Sequence, residues 1–293
     1  MAASALTHQE NKPCVIALHC SLGSGRQWSR LAEALGDGYQ VIAPDLSGYG
    51  KHVARPILPT TLSDEVAAIA DQIDHASGPI HLVGHSYGGA VAFKMATGER
   101  WTGRIRSLTL IEPVLPTLLR DNSADRRLYD VFADVGTRIH VDLWEGMYME
   151  ALDRFVEFWA GSAPKETLGG EARLRMIEVI EKVAFDFAAI LGEVNIASAA
   201  ASLRVPTLLV SGGLSPYMTQ RIVAKLAALI PGAETMHLPG AGHMLPITHA
   251  KTINSDIIRH IELTEEFAKL LASPPGVAAA SRTQQSHLRL MPG

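Results

Sequence analysis

A serine held between two glycines is the first group in this chain that could do covalent chemistry: Gly84-His85-Ser86-Tyr87-Gly88. A serine hydroxyl is a weak nucleophile unless its surroundings expose it and a base takes its proton. The apolar run Pro79–Val83 before it reads as a strand, and the small-residue stretch Ala90–Ala96 after it reads as a helix. That context places Ser86 in a tight, strained turn that projects its hydroxyl into a cleft. Side chains at positions 84 and 88 would collide there with the adjoining strand and helix. The helix N-terminus behind the turn favours developing negative charge. His85 reads as a structural residue with satisfied ring nitrogens, and Tyr87 as a residue that shapes the pocket.

A base for Ser86 should be a histidine, whose pKa lies near neutrality. Of the twelve histidines, His243 lies in a Gly-rich loop, LPGAGHM, after the last strand-like run Glu234–Leu238. The base in turn needs a carboxylate on its other ring nitrogen. Glu112 directly follows the apolar run Leu108–Ile111, at the carboxyl end of a strand beside the one that leads to Ser86. Asp45, at the end of an earlier strand, is the runner-up. The order Ser, acid, His then runs along the chain.

The elements that must position these groups alternate. Strands are predicted over Cys14–His19, Tyr39–Ala43, Pro79–Val83 and Ser107–Ile111. Helices fall at about Trp28–Leu35, Leu62–His75 (with Ser63 as N-cap) and Ala90–Ala96. Alternation of this kind implies right-handed crossovers and a parallel sheet. It stops at residue 115. From there to about 203 the pattern is helical, with Trp144, Tyr148, Leu152, Phe155 and Trp159 at helical spacing and a second amphipathic stretch over Glu171–Leu191. The sheet pattern then resumes with a strand at Val205–Val210, a helix at Thr219–Leu229, the strand Glu234–Leu238 and a last helix at about Ala250–Leu271. The reading is an α/β core, residues 1–114 and 204–272, interrupted by a helical lid, 115–203, and followed by a disordered tail, 273–293. The lid would sit over the carboxyl ends of the strands, where open parallel sheets bind ligands.

Composition narrows the partners. A chain of 293 residues with 47% hydrophobic residues can bury a large core, and its formal net charge is −4. No basic block suggests nucleic acid or an anionic membrane. No apolar run reaches the roughly 18 residues of a membrane helix, and the polar stretch Met1 to Lys12 lacks the apolar segment of a secretory signal. The two cysteines, Cys14 and Cys20, end one predicted strand, so their Cα atoms lie roughly 20 Å apart. A disulfide spans about 7 Å at most. A reduced, cytoplasmic protein is expected.

Taken in order, these motifs resemble those of a lidded α/β-hydrolase, from about Cys14 to His260. LHCSLGSGRQW is similar to that family's first-strand loop, with Trp28 as its downstream tryptophan. APDLSGYG resembles its Asp-x-x-Gly-x-Gly loop, GHSYGG the turn at the nucleophile, and LPGAGHM the loop of its histidine. The resemblance implies a doubly wound, mostly parallel sheet and no metal or organic cofactor. It implies an oxyanion hole built from the backbone N–H groups of Tyr87 and Ser21, with the Cys20 amide as a substitute. Three departures stand out. The antiparallel strands that usually open the fold are missing, the glycine after His19 is Cys20, and Ser215 stands where the acid usually follows the fifth strand. No acidic residue lies between Gly212 and Pro231, so Glu112 carries the expectation.

The aromatic stripe has two readings, a seam between lid helices and the wall of an apolar pocket. With few charges on that face, the expected substrate is an uncharged, mostly apolar carboxylic ester of moderate size, cleaved through an acyl-enzyme on Ser86. Carbon–carbon or lactone hydrolysis could use the same groups. A non-catalytic ligand-binding protein on this scaffold, supported by Ser215 alone, is the reading from another class. An Asp nucleophile, as in dehalogenases and epoxide hydrolases, is disfavoured by Ser86.

Overall fold

The computed structural model describes residues 12–50, 59–162 and 169–272. The tail 273–293, expected to be disordered, lies outside the described residues, as does most of the N-terminal stretch.

Six parallel strands form one sheet in the order β2-β1-β3-β4-β5-β6. They are β1 (Cys14–Leu18), β2 (Gln40–Ile42), β3 (Ile80–His85), β4 (Ile105–Ile111), β5 (Thr207–Gly212) and β6 (Glu234–Leu238). Nearly every residue of β1 and β3–β5 is buried, the polar His81, His85, Ser107, Thr109, Thr207 and Ser211 included, because both sheet faces are covered. Their side chains alternate between two cores. Cys14, Ile16 and Leu18 of β1 point to one, and Val15 and Ala17 to the other. The second core is closed by α1 (Ser29–Leu35) and the long C-terminal helix Ala250–Ala272, through Leu31, Leu35, Ile253, Ile257 and Ile261. The first is closed by α2 (Leu62–Asp74) and α3 (Tyr87–Thr97), together with the helices that follow β4.

Between β4 and β5 the described residues form helices and no strand: α4 (Thr117–Arg120), α5 (Arg126–Trp144), α6 (Tyr148–Ala160), α7 (Gly170–Ile177), α8 (Glu181–Gly192) and α9 (Ile196–Ser202). They pack on one another through aromatic rings. Phe132 of α5 stacks on Phe187 of α8 at 4.8 Å between centroids, and lies 5.4 Å from Phe158 of α6. Helix α10 (Tyr217–Leu229) follows β5. After β6 come α11 (Leu245–Thr248) and α12, the helix Ala250–Ala272. No single helix among the described residues is long and apolar enough to cross a membrane.

Several local expectations are corrected. Thr61, not Ser63, caps α2: its Oγ1 accepts from the Asp64 N–H at 3.1 Å. Helix α3 starts at Tyr87 rather than Ala90, so the serine turn has no extra loop. Trp144 does not belong to the aromatic stripe. Gly146, at φ +77°, ends the first helix, and Trp144 stands 86% exposed at its C-terminus. The Glu171–Leu191 stretch is two helices, α7 and α8. Both cysteines are buried and free.

Candidate active site

The sheet register brings the predicted groups together. On β3 and β4, His85 pairs with Ile111. Ser86 and Glu112 are the next residues on those neighbouring strands, so both leave the sheet at the same level. Both also depart from ordinary strand geometry, with φ +58° at Ser86 and +44° at Glu112. Non-glycine residues in that region are strained and are held there by their surroundings. The Ser86 N–H donates to the Ile111 carbonyl (3.0 Å), and the Ser86 carbonyl accepts from Val114 (3.2 Å). These bonds tie the serine turn to the loop of Glu112.

The flanking glycines are required by close approach. A Cβ on Gly88 would sit 2.4 Å from the His19 carbonyl oxygen, and one on Gly84 would sit 2.4 Å from the Gly88 oxygen. Both obstacles are backbone and cannot swing away. Gly88→Ala should therefore cost about 3 kcal/mol and lower Tm by roughly 5–10 °C. Gly38→Ala, where a Cβ would meet nothing within 4 Å, should leave Tm nearly unchanged. Thermal unfolding followed by circular dichroism separates the two.

His243 arrives from the other side. The loop after β6 folds back over the end of β5, where Leu214 N–H bonds the Ala241 carbonyl at 3.0 Å. It packs so closely that a Cβ on Gly212 would lie 2.3 Å from the Ala241 oxygen. His243 Nε2 lies 2.9 Å from Ser86 Oγ, and His243 Nδ1 lies 2.6 Å from Glu112 Oε2. The carboxylate accepts from Nδ1–H, which leaves Nε2 free to accept from the serine hydroxyl. Glu112 Oε1 accepts from the Gly212 N–H at 2.7 Å. All three side chains are buried, Glu112 fully.

The supporting residues behave as follows. His85 is satisfied on both nitrogens: Gln27 Nε2 donates to Nδ1 (3.1 Å), and its own Nε2–H donates to the His243 carbonyl (2.8 Å). Burial, and then the nearby His243, push its pKa well below the usual value, so it is neutral. It holds the histidine loop, in keeping with the structural reading. Asp45 Oδ1 accepts from Gly25 N–H at 2.8 Å and organises a loop. Ser215 is buried, and its hydroxyl makes no hydrogen bond among the described residues.

A small cavity of about 10 Å³ adjoins Ser86, and Ser21 and Tyr87 both line it. The Cys20 N–H donates to Gln27 Oε1 at 3.3 Å, which commits that amide elsewhere. Burial drives the Cys20 thiol up to about 12. Phe155 and Trp159 of the aromatic stripe line the cavity together with Phe132, Phe187 and Ile190. The Trp159 ring stacks on the His243 imidazole, 4.2 Å between centroids and 19° between planes.

Sequence reading missed one part of the site. Asp186 of α8, only 2% exposed, also lines the cavity and joins Lys182 and Glu65 in a buried ionic cluster. The available signal was a lysine and an acid four apart on the apolar side of KVAFDFAAIL. Among the described residues, no group of three or more His, Cys, Asp or Glu is arranged to hold a metal ion.

Comparison with known proteins agrees with this architecture. The lipase LipV of Mycobacterium tuberculosis is 34% identical over 117 residues, 40% of this chain and 42% of LipV. The chain thus spans less than half of that relative, and only 12% of the polyketide synthase ThaQ of Burkholderia thailandensis, 25% identical over 258 residues. The solved structure of MenH from S. aureus superposes with a TM-score of 0.68 at 21% identity, covering 87% of this chain and 96% of that one. At such identity the likeness concerns the fold alone. The model of the alpha/beta hydrolase family matches residues 15–255, which is most of the chain, and the protein therefore belongs to that family.

Proposed function

We propose that the protein is a serine hydrolase that cleaves uncharged, mostly apolar carboxylic esters through an acyl-enzyme on Ser86. The observation that carries this reading is the unbroken chain of hydrogen bonds from Ser86 through His243 to Glu112, at 2.9 and 2.6 Å. His243 takes the hydroxyl proton as Ser86 Oγ attacks the ester carbonyl. The negative oxygen of the tetrahedral intermediate meets the N–H groups of Ser21 and Tyr87. The intermediate collapses, and His243 gives its proton to the departing alkoxide. Water, deprotonated by His243, then attacks the acyl carbon; the second tetrahedral intermediate breaks its bond to Ser86 Oγ, which takes the proton back from His243, and the acid leaves. Glu112 keeps the imidazole in the tautomer that can accept at Nε2 and stabilises it once protonated.

In this reading residues 1–114 and 204–272 are the core, and 115–203 form a lid whose Phe132, Phe155, Trp159 and Phe187 present an apolar wall beside Ser86. No cofactor takes part, and the protein works in the cytoplasm on a small-molecule substrate. The name of LipV, a lipase, supports the ester class.

A fluorophosphonate probe tests the reading. Wild-type protein should be labelled at Ser86 and should turn over p-nitrophenyl esters, in preference to vinylogous diketones or lactones. Absence of both labelling and turnover would return the protein to the class of ligand-binding members. A second measurement concerns Trp159. Its ring lies flat on an imidazole that becomes cationic in the transition state, a contact worth roughly 0.5–2 kcal/mol. Trp159→Ala should lower kcat by about three- to thirtyfold, and Trp159→Phe by less. Unchanged kcat in Trp159→Ala would limit the ring to sealing the cavity.

A further inference from the structure

The buried cluster around α8 has no part in the proton transfers above, yet it touches both residues assigned to the oxyanion hole. Lys182 and Asp186, four apart, lie on one face of α8 and form an ion pair. Asp186 Oδ2 accepts from Ser21 Oγ at 2.5 Å and from the Tyr49 hydroxyl at 2.5 Å. Lys182 Nζ reaches Glu65 Oε2 at 3.2 Å. The same Glu65 oxygen accepts from the Tyr87 hydroxyl at 3.1 Å, and the other Glu65 oxygen accepts from the Ser47 N–H at 2.7 Å. Lys182 Nζ also sits 4.8 Å from the Tyr87 ring centre and 5.5 Å from that of Tyr49. Glu65, Lys182 and Asp186 are all 2% exposed or less.

Stability is a poor explanation for such a cluster. Removing three charges from water is costly, and well-packed apolar replacements are often as stable or more so. Burial pushes the Asp186 carboxyl up, against the pull of Lys182. Burial would lower Lys182, but the two carboxylates outweigh it and lift it. What the cluster does supply is fixed position. The loop after β1 needs it: Leu22 is held at φ +59°, a strained value for a leucine, and the preceding Cys20 lacks the freedom of the glycine expected there. The side chain of Ser21 is tied to Asp186 and that of Tyr87, through Glu65, to Lys182.

We propose that the Lys182–Asp186 pair is a positioning device for the oxyanion hole, holding Ser21 and Tyr87 at once from a helix inserted between β4 and β5. The proposal rests on the reading of Ser86 as the nucleophile and assigns this pair no direct contact with the reacting atoms. Its signature is selective. An aryl boronic acid bonded to Ser86 places an oxygen where the oxyanion forms, so a displaced donor weakens that adduct and slows turnover in parallel, whereas KM reports ground-state binding.

Asp186→Asn and Ser21→Ala test it, the second because it keeps the backbone donor and removes only the tether. Loss of a whole oxyanion donor costs about a hundredfold or more. A displaced one should cost less, so Asp186→Asn is expected to lower kcat and boronate affinity by about tenfold to a hundredfold with KM within about threefold. Ser21→Ala is expected to lower both by about three- to tenfold, and the double variant to lose no more than Asp186→Asn alone. If Asp186→Asn fails to fold, Ser21→Ala carries the test. Values of kcat and boronate affinity within about twofold of wild type in folded Ser21→Ala and in any folded Asp186→Asn, or equal losses in kcat and ground-state binding, overturn the positioning role. Wild-type protein that shows neither fluorophosphonate labelling nor turnover would instead remove the functional reading on which it rests.

Discussion

Ser86→Ala should lower kcat for an activated ester by about a millionfold, the scale seen when a serine nucleophile is removed from a triad. Alanine keeps the Cβ, so the strained turn at φ +58° and its hydrogen bonds to Ile111 and Val114 stay as they are. What is lost is the oxygen that lies 2.9 Å from His243 Nε2. Leaving that nitrogen without its partner costs about 1 kcal/mol, so the variant should stay folded, with Tm only slightly altered. Some rate above the uncatalysed reaction should survive from the oxyanion donors and substrate binding. Cys20 offers no bypass: burial holds its thiol at about 12, and a thiol protonated at neutral pH is a poor nucleophile. Steady-state kinetics with p-nitrophenyl butyrate, together with mass spectrometry after fluorophosphonate treatment, check this. A variant that keeps more than about a hundredth of the wild-type kcat would rule out Ser86 as the attacking group.

The parts of this site that could be read from sequence are those written locally. The serine turn announces itself because two glycines, a strand and a helix must occur within a few residues of it, and a Cβ at either glycine would meet backbone. Glu112 was legible for a related reason. It directly follows a strand, and neighbouring parallel strands that end in register deliver their next residues to one place, as the pairing of His85 with Ile111 does here. The Gly-rich loop of His243 was recognisable, but the need for Gly212 beneath it follows only from how closely that loop packs.

What escaped the sequence depends on distant partners. Asp186 meets Ser21 and Tyr49, and Lys182 meets Glu65, across more than a hundred residues of chain, and no spacing rule encodes that. A lysine and an aspartate four apart on a helix ordinarily describe a solvated surface pair, and only tertiary packing buries this one. The same limit misled the reading of Trp144. Its spacing to Tyr148 is helical, but Gly146 adopts φ +77° and turns the chain between them. The reading of the stripe as the wall of an apolar pocket left out Asp186 and Ser21, which give a polar end to a cavity that Phe132, Phe155, Trp159, Phe187 and Ile190 also line.

The choice of acid can be decided by substitutions at two positions. Glu112 Oε2 accepts from His243 Nδ1–H at 2.6 Å while Oε1 is held by the Gly212 N–H at 2.7 Å. In Glu112→Gln the amide oxygen can keep the bond to Gly212, which turns the NH2 group toward His243. An imidazole facing a donor must accept at Nδ1 and carry its proton on Nε2, and a protonated Nε2 cannot take the proton of Ser86. The shape is preserved and the tautomer is wrong, so kcat should fall by about ten-thousandfold, as it does when the acid of another triad is made an amide. Glu112→Ala, which removes the orienting group without forcing the tautomer, should lose at least about a hundredfold. Ser215, at the position where the family's acid usually stands, should behave oppositely. Its hydroxyl is buried without a hydrogen bond among the described residues, so Ser215→Ala should leave kcat within about twofold. Removing an unsatisfied polar group should hold Tm level or raise it. Full activity in Glu112→Gln, or a collapse of kcat in folded Ser215→Ala, would transfer the orienting role away from the fourth strand.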